Sequence, residues 1–126
     1  MTKYEELMAE YEGELIIEER PIKNAGLYAD GVTWIREDMT AAQKFCVLAE
    51  EIGHHKTSAG DILDQTDLDN VKQELKARRW AYERILPIEL ILSSLSDGIY
   101  TIWDMAEHLE VDEKFLHDAL EHYGMI

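Results

Sequence analysis

The segment Phe45-Cys46-Val47-Leu48-Ala49-Glu50-Glu51-Ile52-Gly53-His54-His55 concentrates the groups that can do chemistry. It carries two adjacent carboxylates and, after two residues, two adjacent imidazoles. On a helix turning about 100° per residue, Glu50 and His54 share a face. Phe45, Leu48, Ala49 and Ile52 fall on another, and Cys46 and Val47 extend the apolar character around it. A helix apolar over so wide an arc belongs inside a protein. Carboxylates there are costly unless paired or bound to a metal, and a divalent cation would remove that cost. The plain alternative is a Glu–His pair at i, i+4 on a solvated face, a weak surface contact.

A second helix shifts the balance. Glu74, Ala77, Arg78, Ala81 and Ile85 recur on one face. The alanines permit close approach to a neighbouring helix, which is expected to turn Glu74 inward rather than to solvent. Two donors from one helix and a third from the next is the usual construction of a three-ligand catalytic zinc site. The competing reading pairs Glu74 with Arg78 at i, i+4. Cys46 reads as a core residue. A Cys46–His54 nucleophile pair fails on geometry, because eight helical residues separate them by about 12 Å.

Other elements must hold these helices. Residues 3–12 read as an amphipathic helix with Tyr4, Leu7, Met8 and Tyr11 on one face, ended by Gly13. Glu14–Glu18 reads as a strand. Residues 25–29 and 32–36 are extended runs joined by Asp30-Gly31, a hairpin signal. Thr40-x-x-Gln43 resembles a capping box and starts the first chemical helix, which runs to about His55. A polar loop is expected from Thr57 to Asp67. The second long helix spans about 68–86 and stops before Pro87. A short apolar helix over 88–95, a Ser96-Asp97-Gly98 turn and a helix pair over 101–109 and 112–123 complete the chain, with Asp112 as an N-cap. This order gives an α+β fold in one domain over 1–126, with a core of 13–95 and a C-terminal helix pair over 99–124.

The bulk properties narrow the function. The chain has 126 residues, 27 acidic and 12 basic, and a net charge of −15. Phosphate backbones would be repelled, so nucleic acid is not an expected direct partner. The C-terminal pair has the look of a helix-turn-helix. However, Glu113, Asp118 and Glu121 would meet phosphates with only Lys114 to offset them, so it reads as a packing or docking pair, with Phe115, Leu116, Ala119, Leu120 and Tyr123 as its apolar face. His108, His117 and His122 read as surface residues, and Trp80 and Trp103 as core aromatics. No apolar run approaches the ~20 residues that span a bilayer, and Met1–Glu6 lacks a signal-peptide core. A single cysteine precludes an internal disulfide. The expectation is a cytoplasmic protein with no membrane partner.

Leu48-Ala49-Glu50-Glu51-Ile52-Gly53-His54-His55 resembles the active-site helix of the ImmA/IrrE metallopeptidases, whose motif is His-Glu-x-x-His. Glu74-x-x-Ala77-x-x-Trp80-Ala81, followed by Ile85-Leu86-Pro87, resembles that family's second signature. Gly26-Leu27-Tyr28 and the strand over 32–36 look like its short sheet. The resemblance covers roughly residues 13–95. It implies a zincin-like fold, a small antiparallel sheet packed on a mostly helical domain. It implies zinc held by Glu50, His54 and Glu74, with Glu51 as general base.

The first histidine of the motif is Glu50 here. A carboxylate can ligate zinc, but this donor set is more negative than the family's. It should activate water less and shift preference toward harder ions such as Mn2+. His55 is a possible additional ligand or substrate contact, and Tyr28 or Tyr82 a possible oxyanion stabiliser. Relatives are bacterial or phage-borne and are encoded beside helix-turn-helix repressors, which they cleave or bind. The resemblance therefore implies a zinc-dependent endopeptidase that cleaves a phage or mobile-element helix-turn-helix repressor. The alternative is a non-catalytic anti-repressor or partner-binding protein on the same fold.

Overall fold

Thr2 opens the first helix, α1 (Lys3–Tyr11), through a full capping box. Its hydroxyl accepts from the Glu5 amide at 3.1 Å, and the Glu5 carboxylate accepts from the Thr2 amide at 2.9 Å. In this computed structural model, which describes residues 1–57 and 67–126, Tyr4, Leu7 and Tyr11 bury one face of α1. The helix does not simply stop at Gly13. The amides of Glu14 and Leu15 both turn back to the Tyr11 carbonyl, at 2.9 and 2.8 Å. That turn delays the first strand, β1, to Ile16–Arg20, two residues later than the sequence suggests.

Strands β2 (Gly26–Ala29) and β3 (Val32–Arg36) form the expected hairpin. Asp30 and Gly31 both take positive φ, 46° and 80°, as a two-residue hairpin turn of this hand requires. Leu27 lies opposite Trp34 in an antiparallel pair. The sheet as a whole is mixed, however, and the expected antiparallel sheet is corrected on this point. β1 pairs with β3 in parallel, Ile16 opposite Val32, and the strand order is β1-β3-β2. The chain reverses direction from β1 to β2 and again from β2 to β3. The strand laid into the gap between the first two must therefore run with β1.

The Thr40–Gln43 box is present in both directions, at 3.0 and 3.1 Å, and starts α2 (Ala41–Thr57). Phe45, Leu48, Ala49 and Ile52 are buried along it, as the apolar face predicts, and so is Cys46. Helix α3 spans Asp67–Ile85. Residues 58–66 of the expected polar loop lie outside the described residues. Helices α4 (Ile88–Ser96), α5 (Ile102–Leu109) and α6 (Glu113–His122) follow. Asp112 caps α6 by accepting from the Phe115 amide at 3.4 Å.

Buried side chains from α1, β3 and all five later helices join one cluster. The Tyr123 hydroxyl donates to the Leu86 carbonyl at 2.8 Å and the Asp112 amide donates to Cys46 Sγ at 3.4 Å, fastening the C-terminal pair to α3 and α2. Trp80 packs partly buried against the core. Trp103 departs from expectation, because it stands 67 % exposed on the outer side of α5. Among the described residues, no helix is long and apolar enough to cross a membrane.

Candidate metal centre

Two glycines let the elements that carry the chemistry meet. Gly53 sits in the interior of α2, where glycine is unfavourable unless a backbone must come close. A Cβ there would lie 2.4 Å from the Ala77 carbonyl oxygen of α3. Ala77 and Ala81 are fully buried on the facing side. Gly26 does the same for the sheet: a Cβ there would lie 2.6 Å from Val47 and 3.0 Å from the Glu51 side chain. Helix α2 is thus clasped between α3 and β2, and the residue after Gly53 is His54.

This clasp brings His54 against Glu74. The imidazole Nε2 lies 3.0 Å from Glu74 Oε1. The alanine spacing predicts this meeting of the two helices. The burial of Glu74 is corrected: its side chain is 49 % exposed, and its other oxygen lies 3.9 Å from Arg78 Nε. Glu74 stands at the rim, three residues before Ala77, whose backbone lies against Gly53. A cleft of about 250 Å³ opens there, lined by Asn24, Gly26, Tyr28, Glu51, His54 and Glu74 among others. Glu51 therefore shares a cavity with the His54–Glu74 pair. Asn24 is a polar wall residue that no motif or spacing singles out.

Glu50 is not among the residues lining this cleft. It lines a neighbouring cavity of about 360 Å³ with Arg78, Lys114 and Asp118. Among the described residues, no three His, Cys, Asp or Glu side chains stand close enough to hold one ion. His54 and Glu74 are the two expected ligands in contact.

The carboxyls of the cluster are shifted toward their neutral forms. Burial, and then the Glu74 and Glu50 charges, push the Glu51 carboxyl up to about 8. Burial also raises Glu50, with Arg78 acting in the opposite direction and Glu74 adding to the rise. A carboxyl pushed to about 8 holds its proton at neutral pH and cannot serve as a base. A divalent cation beside His54 and Glu74 would reverse the local potential and free Glu51 to ionise. The donors present, an imidazole and carboxylates, suit zinc or manganese.

His55 is directed elsewhere. Its Nδ1 lies 2.7 Å from the Tyr28 hydroxyl and its Nε2 3.3 Å from Glu14 Oε1. Tyr82, one of two tyrosines considered as an oxyanion stabiliser, packs edge-on against Phe115 and is not among the residues lining the cleft. His122 lies 3.3 Å from Glu83, and His117 lies 3.5 Å from Glu121 at i, i+4.

The sequence matches the IrrE N-terminal-like domain, a peptidase family, over residues 9–121. The matched span runs beyond the motifs into α6. No curated protein and no solved structure matches the chain. The family is generally metal-dependent. Nearly the whole chain is spanned by the match, and it belongs to the IrrE N-terminal-like domain family of metallopeptidase-type proteins.

Proposed function

We propose that this protein is a cytoplasmic, metal-dependent endopeptidase that cuts a protein substrate, with a helix-turn-helix repressor of a phage or mobile element as the substrate class. The observation that carries this reading is the His54–Glu74 contact across two helices, with Glu51 on the same cleft. The substrate class rests on the resemblance alone.

His54 and Glu74 would hold the ion, with Glu50 from the preceding turn of α2 as third donor. Zinc fits this set, and the surplus of carboxylates also suits Mn2+. Once bound, such an ion polarises a peptide carbonyl and makes water a better nucleophile. Glu51 would be the base that takes a proton from water and returns it to the departing amine. Gly26 keeps β2 close to Glu51, so a peptide lying along the strand would present its carbonyl within reach of both.

Glu50, standing where the motif has histidine, favours a second reading: a non-catalytic protein that holds its partner on the same fold. Metal content by mass spectrometry, alongside cleavage of a co-encoded repressor, separates the two. Near-stoichiometric metal lost in Glu74→Ala, with cleavage lost in a folded Glu51→Gln, supports the peptidase. Repressor binding that is unchanged in Glu51→Gln, with no cleavage by either protein, supports the second reading.

A further inference from the structure

Three residues outside the carboxylate cluster form a hydrogen-bonded chain that ends on the cleft wall. Glu14, in the turn between α1 and β1, is held by Lys56 Nζ at 2.8 Å. Its Oε1 faces His55 Nε2 at 3.3 Å, and His55 Nδ1 meets the Tyr28 hydroxyl at 2.7 Å. The Tyr28 and His55 rings also pack edge to face, with centroids 5.5 Å apart. Tyr28 comes from β2 and lines the cleft with Glu51, His54 and Glu74. A residue 27 positions away in sequence therefore fixes one wall of the candidate active site.

The direction of the chain follows from its far end. An ionised carboxylate only accepts hydrogen bonds. His55 therefore carries its proton on Nε2 and donates it to Glu14. In the neutral ring this leaves Nδ1 as an acceptor, so Tyr28 donates its hydroxyl proton to His55. The proton that an oxyanion stabiliser would need is already committed. Tyr28 is then a poor oxyanion donor but a rigid ring, tied at its far end and packed on its flank. The cleft, about 250 Å³, lies below the ~300–1,000 Å³ typical of enclosed small-molecule sites. It suits one or two residues of an extended chain, with the Tyr28 ring, on the same face of β2 as Gly26, as its apolar surface.

We propose that Tyr28 is a specificity-determining residue, the wall of a subsite that takes an apolar side chain next to the scissile bond, and that His55 and Glu14 are positioning residues that hold it. The proposal rests on the peptidase reading. Two measurements test it. Long-range proton–nitrogen NMR on the full chain reads the His55 tautomer. The Nε2–H form is expected in the wild type, giving way to a mixture in Glu14→Ala, whereas an Nδ1–H wild type overturns the chain of positioning.

Cleavage of a proteome-derived peptide library by zinc-loaded protein, read by mass spectrometry, gives the residue preference around the cut. Tyr28→Ala should change the preference at one position beside the scissile bond by tenfold or more. The conservative Tyr28→Phe, and Glu14→Ala, should raise KM severalfold on a preferred peptide while kcat stays within threefold. A uniform loss of kcat at every sequence, or a profile unchanged in Tyr28→Ala, overturns the subsite. A wild type with no cuts dependent on Glu51 overturns the peptidase reading and the subsite with it. The His55 tautomer still decides, separately, whether Glu14 positions His55.

Discussion

Replacing Gly53 with alanine should destabilise this protein, although the exchange favours the helix. Glycine within a helix costs about 0.5–1 kcal/mol relative to alanine, so on an open face the substitution would gain that much. At Gly53 the new Cβ would lie 2.4 Å from the Ala77 carbonyl oxygen and 3.0 Å from its carbonyl carbon and Cα. Ordinary non-bonded contacts need roughly 3.5 Å or more, so α2 and α3 must part by about 1 Å where they are tightest. Ala49, Ile52, Ala77 and Ala81, all fully buried at or beside this contact, would lose packing. Overfilling a packed core costs about 1–3 kcal/mol. Subtracting the propensity gain leaves a net loss of up to about 2.5 kcal/mol, centred near 1. Urea unfolding of the metal-free protein, followed by circular dichroism, reads this directly. Gly13→Ala is the control, because a Cβ there meets nothing within 4 Å, and it should leave stability within about 0.5 kcal/mol. The separation also moves Glu74 away from His54, so zinc affinity should fall with stability. A Gly53→Ala protein at least as stable as wild type would refute the close crossing of α2 and α3.

Glu51→Gln should make the metal-free protein more stable, and increasingly so as pH rises. The folded carboxyl sits at about 8 against an ordinary value of 4.5. Its contribution is fully present below about pH 4.5 and is lost as pH climbs through 8, because the unfolded chain releases the proton first. The advantage of the glutamine variant should therefore grow by about 3–4 kcal/mol between pH 5 and 8, read by urea unfolding in EDTA; parallel stability curves would contradict the assigned burial. Cys46 is buried, accepts the Asp112 amide, and is pushed up to about 12 by burial. It should resist aromatic disulfide reagents at pH 8 in the native state and react with one equivalent in urea. Native labelling faster than global unfolding would show that the α2–α6 contact is open.

Features written in local chemistry were legible in the sequence. Asp30-Gly31 supplies the two positive φ values of its turn, Thr40 with Gln43 and Asp112 supply their caps, and α3 ends before Pro87. The meeting of His54 with Glu74 was also readable, from alanines at helical spacing. What escaped depends on placement in three dimensions. The parallel partner of β1 follows from how the chain fills a gap, not from any residue of β1. The exposure of Glu74 depends on where along α3 the tight contact begins, and that of Trp103 on which side of α5 is covered. The Glu14–His55–Tyr28 chain joins residues 41 and 27 positions apart, which no periodicity can report. Gly53 did carry a usable signal, since a glycine inside a strong helix asks for a close neighbour.

The charge arrangement gives the Glu50 substitution a physical consequence. A histidine at that position would add a neutral donor. Glu50 instead adds a third carboxylate near Glu51 and Glu74, and it contributes to the upward shift of Glu51. Arg78 offsets part of this, acting against the rise at Glu50 and lying 3.9 Å from Glu74. The metal-free cluster therefore favours a protonated Glu51 and is partly neutralised by an arginine. Binding a dication must release the proton and loosen the arginine, so its affinity should rise with pH more steeply than in a histidine-containing site. The pH dependence of metal binding is therefore the property in which Glu50 should set this chain apart from one with histidine at that position.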